Sequence, residues 1–193
     1  MGVLLQFEPR KCLDERTVLV VAGLHTSTDD HWQSSVHSAL LNNCKRALAH
    51  AKYHKMSIAF ARFVSFSDEN AHRQYPIWLD DFQPTREDMI FDIARASFYA
   101  NMEFAALMRE SDVAATFIGR IGDISGVRTA REASRRGHRF TLLSDASDCS
   151  PPVGALRSAR QSAVIDIMAS YGAVLTSSQW ISRQLRVDPV RGN

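Results

Sequence analysis

The chain has 193 residues, with 23 Lys and Arg against 21 Asp and Glu and a formal net charge of +2. That length holds one domain with a substantial core and is short for two, and the near balance of charge gives no global drive towards nucleic acid or an anionic membrane. Three cysteines (Cys12, Cys44, Cys149) at unrelated spacings, with no CxxC, argue against a disulfide framework or a zinc site, so a reducing cytoplasm is the expected compartment.

The opening "MGVLLQFEPRK" has a short apolar run with no basic residue before it, unlike a signal peptide. Gln6 stands where myristoylation needs Ser or Thr. No run approaches the roughly 18 apolar residues of a membrane span. "TVLVVAG" (17–23) is a β-branched run ending in Gly and predicts a strand buried on both faces. Ser27, Thr28 and Asp29 offer N-caps to a helix marked by Leu40, Leu41, Cys44, Leu48 and Ala51. "MSIAFARFVSF" (56–66) predicts a second strand, followed by a polar, aromatic-spotted loop. "DMIFDI" (88–93) predicts a third strand, and "ASFYANMEFAALMRES" a helix with Phe98, Met102, Ala105 and Met108 on one side. "VAATFIG" (113–119) is a fourth strand, running through the polar turn "RIGDIS" into a helix ending at Gly137. "HRFTLLSDA" (138–146) is a fifth strand, "VGALRSARQSAVIDIMASYG" a helix closed by Gly172, and "AVLTS" (173–177) a sixth strand. Alternating helices and apolar strands predict an α/β domain with a mainly parallel sheet covered on both faces.

In such a sheet ligands bind beyond the carboxyl ends of the strands, near the point where strand order reverses. The residues expected to meet there are 23–25, 93–95 and 120–125. Ser125 opens the helix after the fourth strand, where the helix's unpaired amides favour a nucleophile or an anion.

Asp88 opening the third strand, Ser97 with Tyr99 nearby, Gly119 and Asp123 at the elbow, "TAREA" in the next helix and "SDA" after the fifth strand form a set. Together these residues resemble the isochorismatase-like cysteine hydrolases, which include nicotinamidases and other small-amide hydrolases. The resemblance runs from about Thr17 to Trp180. It implies a three-layer, Rossmann-like domain spanning 1–193, with its core at about 17–180 and a parallel six-stranded sheet between helices.

The resemblance also implies a triad: an Asp after the first strand, a Lys after the third and a Cys at the elbow helix. At those positions this chain has Gly23, Ile93 and Ser125. A serine needs an adjacent base to become a nucleophile, and dismantled triads lose about a million-fold in rate. The expectation is a family member with its triad replaced, serving as a non-catalytic small-molecule-binding or assembly protein. Its ligand-binding candidates are Gly23, His25, Ile93, Arg120, Ile121, Asp123 and Ser125, with no cofactor and no metal. The alternative is a hydrolase of a small amide or ester using Ser125 with His25 as base and Asp29 or Asp30 as orienter. Against it, Ser125 sits in G-D-I-S-G and not in G-x-S-x-G.

Lesser candidates read as surface. His50 and His54 have metal-ligand spacing without a zincin Glu. Arg128, Arg131, Arg135, Arg136 and Arg139 form a basic face without interleaved aromatics, so nucleic acid and membrane are not expected partners. Cys149 is a free structural cysteine near the rim. Family members commonly form dimers or tetramers, so a homo-oligomer is expected, with Trp32, Trp78, Phe82 and Trp180 as anchors that the fold itself leaves uncovered. Restoring Asp, Lys and Cys at 23, 93 and 125 is expected to be tolerated.

Overall fold

The computed structural model describes residues 17–26, 35–64, 76–94, 97–110, 113–121, 124–148 and 156–187. The apolar runs become six parallel strands: β1 (Thr17–Ala22), β2 (Ser57–Phe63), β3 (Met89–Ile93), β4 (Ala114–Arg120), β5 (Arg139–Asp148) and β6 (Ala173–Leu175). Five helices accompany them: α1 (Ser35–Tyr53), α2 (Met102–Glu110), α3 (Ile124–Arg135), α4 (Leu156–Ala169) and α5 (Ser177–Val187). The sheet order is β3-β2-β1-β4-β5-β6, so the chain moves outward from β1 in one direction and outward from β4 in the other.

Right-handed crossovers then fix the layers. The β1-to-β2 connection puts α1 on one face, and α5 joins it there: Cys44, Ala47, Leu48, Ala51 and Trp180 pack against Leu19, Val21, Phe60 and Ile118. Connections running the other way put α2, α3 and α4 on the opposite face, where Phe104, Met108, Ala130, Ala133 and Met168 meet Val20, Ala22, Phe91, Phe117 and Phe140. Alternate residues of β1 thus serve two cores, as a strand buried on both faces requires.

Helix ends follow local chemistry. The helix expected over "ASFYANMEFAALMRES" is split into a 3-10 turn at Phe98–Ala100 and α2, because Asn101 caps α2 by accepting the Phe104 N–H at 2.9 Å. Met102 consequently points outward, 86% exposed, and does not join Phe98 and Met108 in the core. α5 extends past the sixth strand, where no helix was expected. It opens with a capping box, the Thr176 hydroxyl accepting the Gln179 N–H and the Gln179 side chain accepting the Thr176 N–H. Asp145 of the "SDA" motif accepts both the N–H and the hydroxyl of Ser177 at 2.7 and 2.8 Å, tying β5 to α5.

The tryptophans expected on the surface are largely internal. Trp78, Phe82 and Trp180 are all buried within this chain, in the core under α1 and α5, so they are not available as interface anchors. Trp32 lies outside the described residues. Burial of this kind, about 25 cal/mol per Å² of apolar surface, is the main force holding α5 and the 76–82 segment to the sheet.

Candidate functional site

Strand order reverses between β1 and β4, and the carboxyl ends of these two neighbours carry the residues singled out in the sequence. β1 ends on Ala22, paired with Gly119, and Gly23 follows with φ of 63°, its N–H donating to the Ala61 carbonyl at 2.9 Å. Gly119 is also left-handed, with φ of 93°. The Ile121 N–H donates to the Gly119 carbonyl, so the chain leaves β4 in a tight three-residue turn. Gly23 and Arg120 come together directly: a Cβ on Gly23 would lie 2.9 Å from the Arg120 Cβ.

The same hypothetical Cβ would lie 2.9 Å from Cε2 and 3.1 Å from Cδ2 of Phe63. This ring, at the end of β2, packs edge-on against Phe98 at 5.9 Å. Phe63 is also the register partner of Ile93. β2 lies between β1 and β3, so Ile93 is two strands from Gly23, about 10 Å away at ordinary strand spacing. A lysine stem could span part of that gap, whereas Ile93 is 2% exposed and ends in the core.

His25 is 3% exposed and stands edge-on to Trp78. Its Nε2 accepts the Phe63 N–H at 3.3 Å and its Nδ1 donates to the Thr26 carbonyl at 3.3 Å, which sets a neutral ring with its proton on Nδ1. Burial pushes its pKa below the ordinary value; the Thr26 carbonyl opposes that shift, and Arg120 and Arg62 add to it. Arg62 is itself held by Asp92 at 2.7 and 2.8 Å. Because the folded pKa is depressed, the stability this ring contributes is complete above pH 6.5, its ordinary value. It is lost as the pH falls from there through the folded value, with a slope of at most about 1.4 kcal/mol per pH unit. Urea unfolding of wild type and His25→Gln over this range should show the wild type losing stability more steeply towards acid. Parallel curves would mean that His25 is not held neutral.

Ser125 lies in the first turn of α3 and is 7% exposed. Its carbonyl accepts the Thr129 hydroxyl at 2.7 Å, and Thr129 in turn accepts the Phe98 N–H at 3.1 Å, locking the elbow helix to the segment after β3. Gly126 follows it because a Cβ there would collide with the Ile121 carbonyl and with Met168. The Ser97 hydroxyl donates to Glu132 at 2.8 Å, giving a second tie between the same elements. "TAREA" therefore joins the helix to the rim through Thr129 and Glu132, and Ala130 and Ala133 fill the core.

The structure brings Gly23, Arg120 and Phe63 into contact, places His25 against the Phe63 backbone, and keeps Ile93 and Ile121 inside the core. Asp123, Asp29, Asp30 and Cys149 lie outside the described residues. Among the described residues, no group of three or more His, Cys, Asp or Glu could hold a metal ion, and no helix is long and apolar enough to cross a membrane. Phe63 was missed in the sequence, although the alternation Ala59, Ala61, Phe63 puts it on the Ala22 face. Asp88 is a turn residue, accepting from the Thr85 N–H and hydroxyl at 2.7 and 2.8 Å.

The sequence profile of the isochorismatase domain matches residues 28–179, a span that includes Ile93 and Ser125 and begins after Gly23. Among solved structures, a cysteine hydrolase from Pseudomonas syringae shares 18% identity at a TM-score of 0.74, over 89% of this chain and 93% of that one. An isochorismatase-like hydrolase from Alkaliphilus metalliredigens shares 10% at 0.71, over 88% and 98%. N-carbamoylsarcosine amidase from Thermoplasma acidophilum shares 14% at 0.65, over 92% and 99%. At such identities the likeness establishes the fold. No curated protein matches the chain in sequence. With the profile matched over most of its length on an all-parallel sheet of six strands, the chain belongs to the isochorismatase family.

Proposed function

We propose that this chain is a non-catalytic member of the isochorismatase family that acts as an assembly or binding protein. One observation carries the reading: the space beside Gly23, where the family resemblance puts a catalytic Asp, is taken by the Phe63 ring and the Arg120 Cβ. An active cysteine hydrolase of this kind needs a base, a cation and a thiolate, and here the three positions are Gly23, Ile93 and Ser125. A serine hydroxyl at a helix N-terminus is a weak nucleophile unless an adjacent general base takes its proton. The alternative base, His25, spends both ring nitrogens on backbone groups, which leaves it no lone pair for the Ser125 proton.

The Phe63 ring and the Arg120 stem beside Gly23 favour assembly over small-molecule binding, and a homo-oligomer remains part of the proposal. Its contact surface draws on exposed apolar residues such as Ile77, Met102 and Ile124, and not on the buried tryptophans. The test is turnover of nicotinamide, isochorismate and simple ureido compounds by purified protein. The expected result is no rate above background and no change on Ser125→Ala. Turnover abolished by that substitution would overturn the proposal in favour of a serine hydrolase.

A further inference from the structure

Gly23, His25 and Ile93 meet at one side chain, that of Phe63. Gly23 leaves the volume that the Phe63 ring occupies, since any Cβ there would stand 2.9 Å from the ring. His25 holds the Phe63 N–H, and the next residue, Val64, donates its N–H to the Ile93 carbonyl at 3.1 Å. The Phe63 backbone is therefore pinned from β1 on one side and β3 on the other. Its ring rests on Phe98 and packs against the cluster containing Ala22, Ile93, Phe98 and Ile121, while remaining only half-buried itself. The ring is thus half-exposed and seated on fully buried neighbours.

We infer that Gly23, His25, Phe63 and Ile93 form one unit that seats the Phe63 ring as a built-in occupant of the site, closing it to ligands. The inference rests on the non-catalytic reading and names how the site is closed. It also fixes what an unplugged site would accept. Among the described residues the ring's neighbours Ala22, Ile93, Phe98 and Ile121 are apolar, with Arg120 at the edge beside Gly23, so an uncharged planar ring the size of phenyl fits the volume the Phe63 side chain now takes. Benzene is the simplest uncharged ring of that size.

The experiment is thermal unfolding of Phe63→Ala and wild type with and without benzene. Benzene is expected to raise the Tm of Phe63→Ala by roughly 3 °C or more near saturation, with no comparable shift in wild type. A folded Phe63→Ala that ignores benzene, or a wild type that responds equally, overturns the inference. Should Phe63→Ala fail to fold, Gly23→Ala, Phe63→Leu and the double variant give the answer. The smaller side chain is expected to restore part of what Gly23→Ala loses, and strictly additive losses would overturn the coupling. Amide turnover by wild type would defeat the non-catalytic reading independently of the benzene result, so the two failures are distinguishable.

Discussion

Gly119→Val is expected to leave no cooperatively folded protein. Gly119 sits at φ of 93°, a conformation that β-branched residues essentially do not adopt. A Cβ there would also run into the Ala22 carbonyl and come within 3.1 Å of Leu24 Cγ. Neither neighbour can retreat, because Ala22 is paired with Gly119 in the ladder and Leu24 is fully buried. Backbone strain of about 1–3 kcal/mol adds to overpacking of about 1–3 kcal/mol and to loss of the central pairing. That sum approaches the whole stability of an ordinary domain, about 5–15 kcal/mol. Urea denaturation followed by circular dichroism reads it directly, and a variant within about 1 kcal/mol of wild type would show that the elbow is more pliable than its contacts imply.

The combined variant Gly23→Asp, Ile93→Lys, Ser125→Cys is expected to be unfolded or insoluble, contrary to the sequence expectation that this set would be accepted. Asp at 23 meets a positive φ together with Phe63 and Arg120 at 2.9 Å. Lys at 93 puts an ammonium where the present residue is 2% exposed and where Phe63 pairs beside it. An unpaired buried charge costs several kcal/mol. Ser125→Cys alone changes one atom in the first helical turn and is expected to keep the fold, with a loss of about 1 kcal/mol or less. Denaturant midpoints of the triple and single variants separate these contributions. A triple variant with the wild-type midpoint would mean that Gly23 and Ile93 are not confined as described.

Strand identity was legible because six apolar, β-branched runs alternate with helical spacing, and parallel pairing follows from that alternation. The elbow at 119–125 was legible from its glycines and polar turn. Side-chain destinations were less so. Trp78 lies in a segment without clear periodicity and Trp180 in a helix that was not anticipated, so their burial depends on α1 and α5 meeting over the sheet, a long-range fact. α5 itself was signalled by "TSSQ", a readable capping box, and was overlooked because the strand before it was extended to Ser177. Met102 was misplaced because one helical period was carried across Asn101, where the helix restarts. At the site, the residue types Gly23, Ile93 and Ser125, where the resemblance implies Asp, Lys and Cys, were readable from the sequence alone. The contact of Phe63 with Gly23 was not, since the two become neighbours only when β2 is laid beside β1.

The reversal of strand order at β1 and β4 bears on how the chain reaches its native state. Every other neighbouring pair joins strands consecutive in the chain, whereas Thr17 finds Ala114 only across half the sequence. Closing that loop carries the largest entropic penalty of any pairing in the sheet, and such non-local contacts set the pace of folding. During synthesis β1, β2 and β3 emerge first, with one flank of β1 unpaired until β4 arrives. Until then the most apolar strand of the protein, "VLVVA", presents an open edge to other nascent chains. The interval before β1 and β4 dock is thus the period of greatest aggregation risk, and it lengthens with any substitution that delays β4.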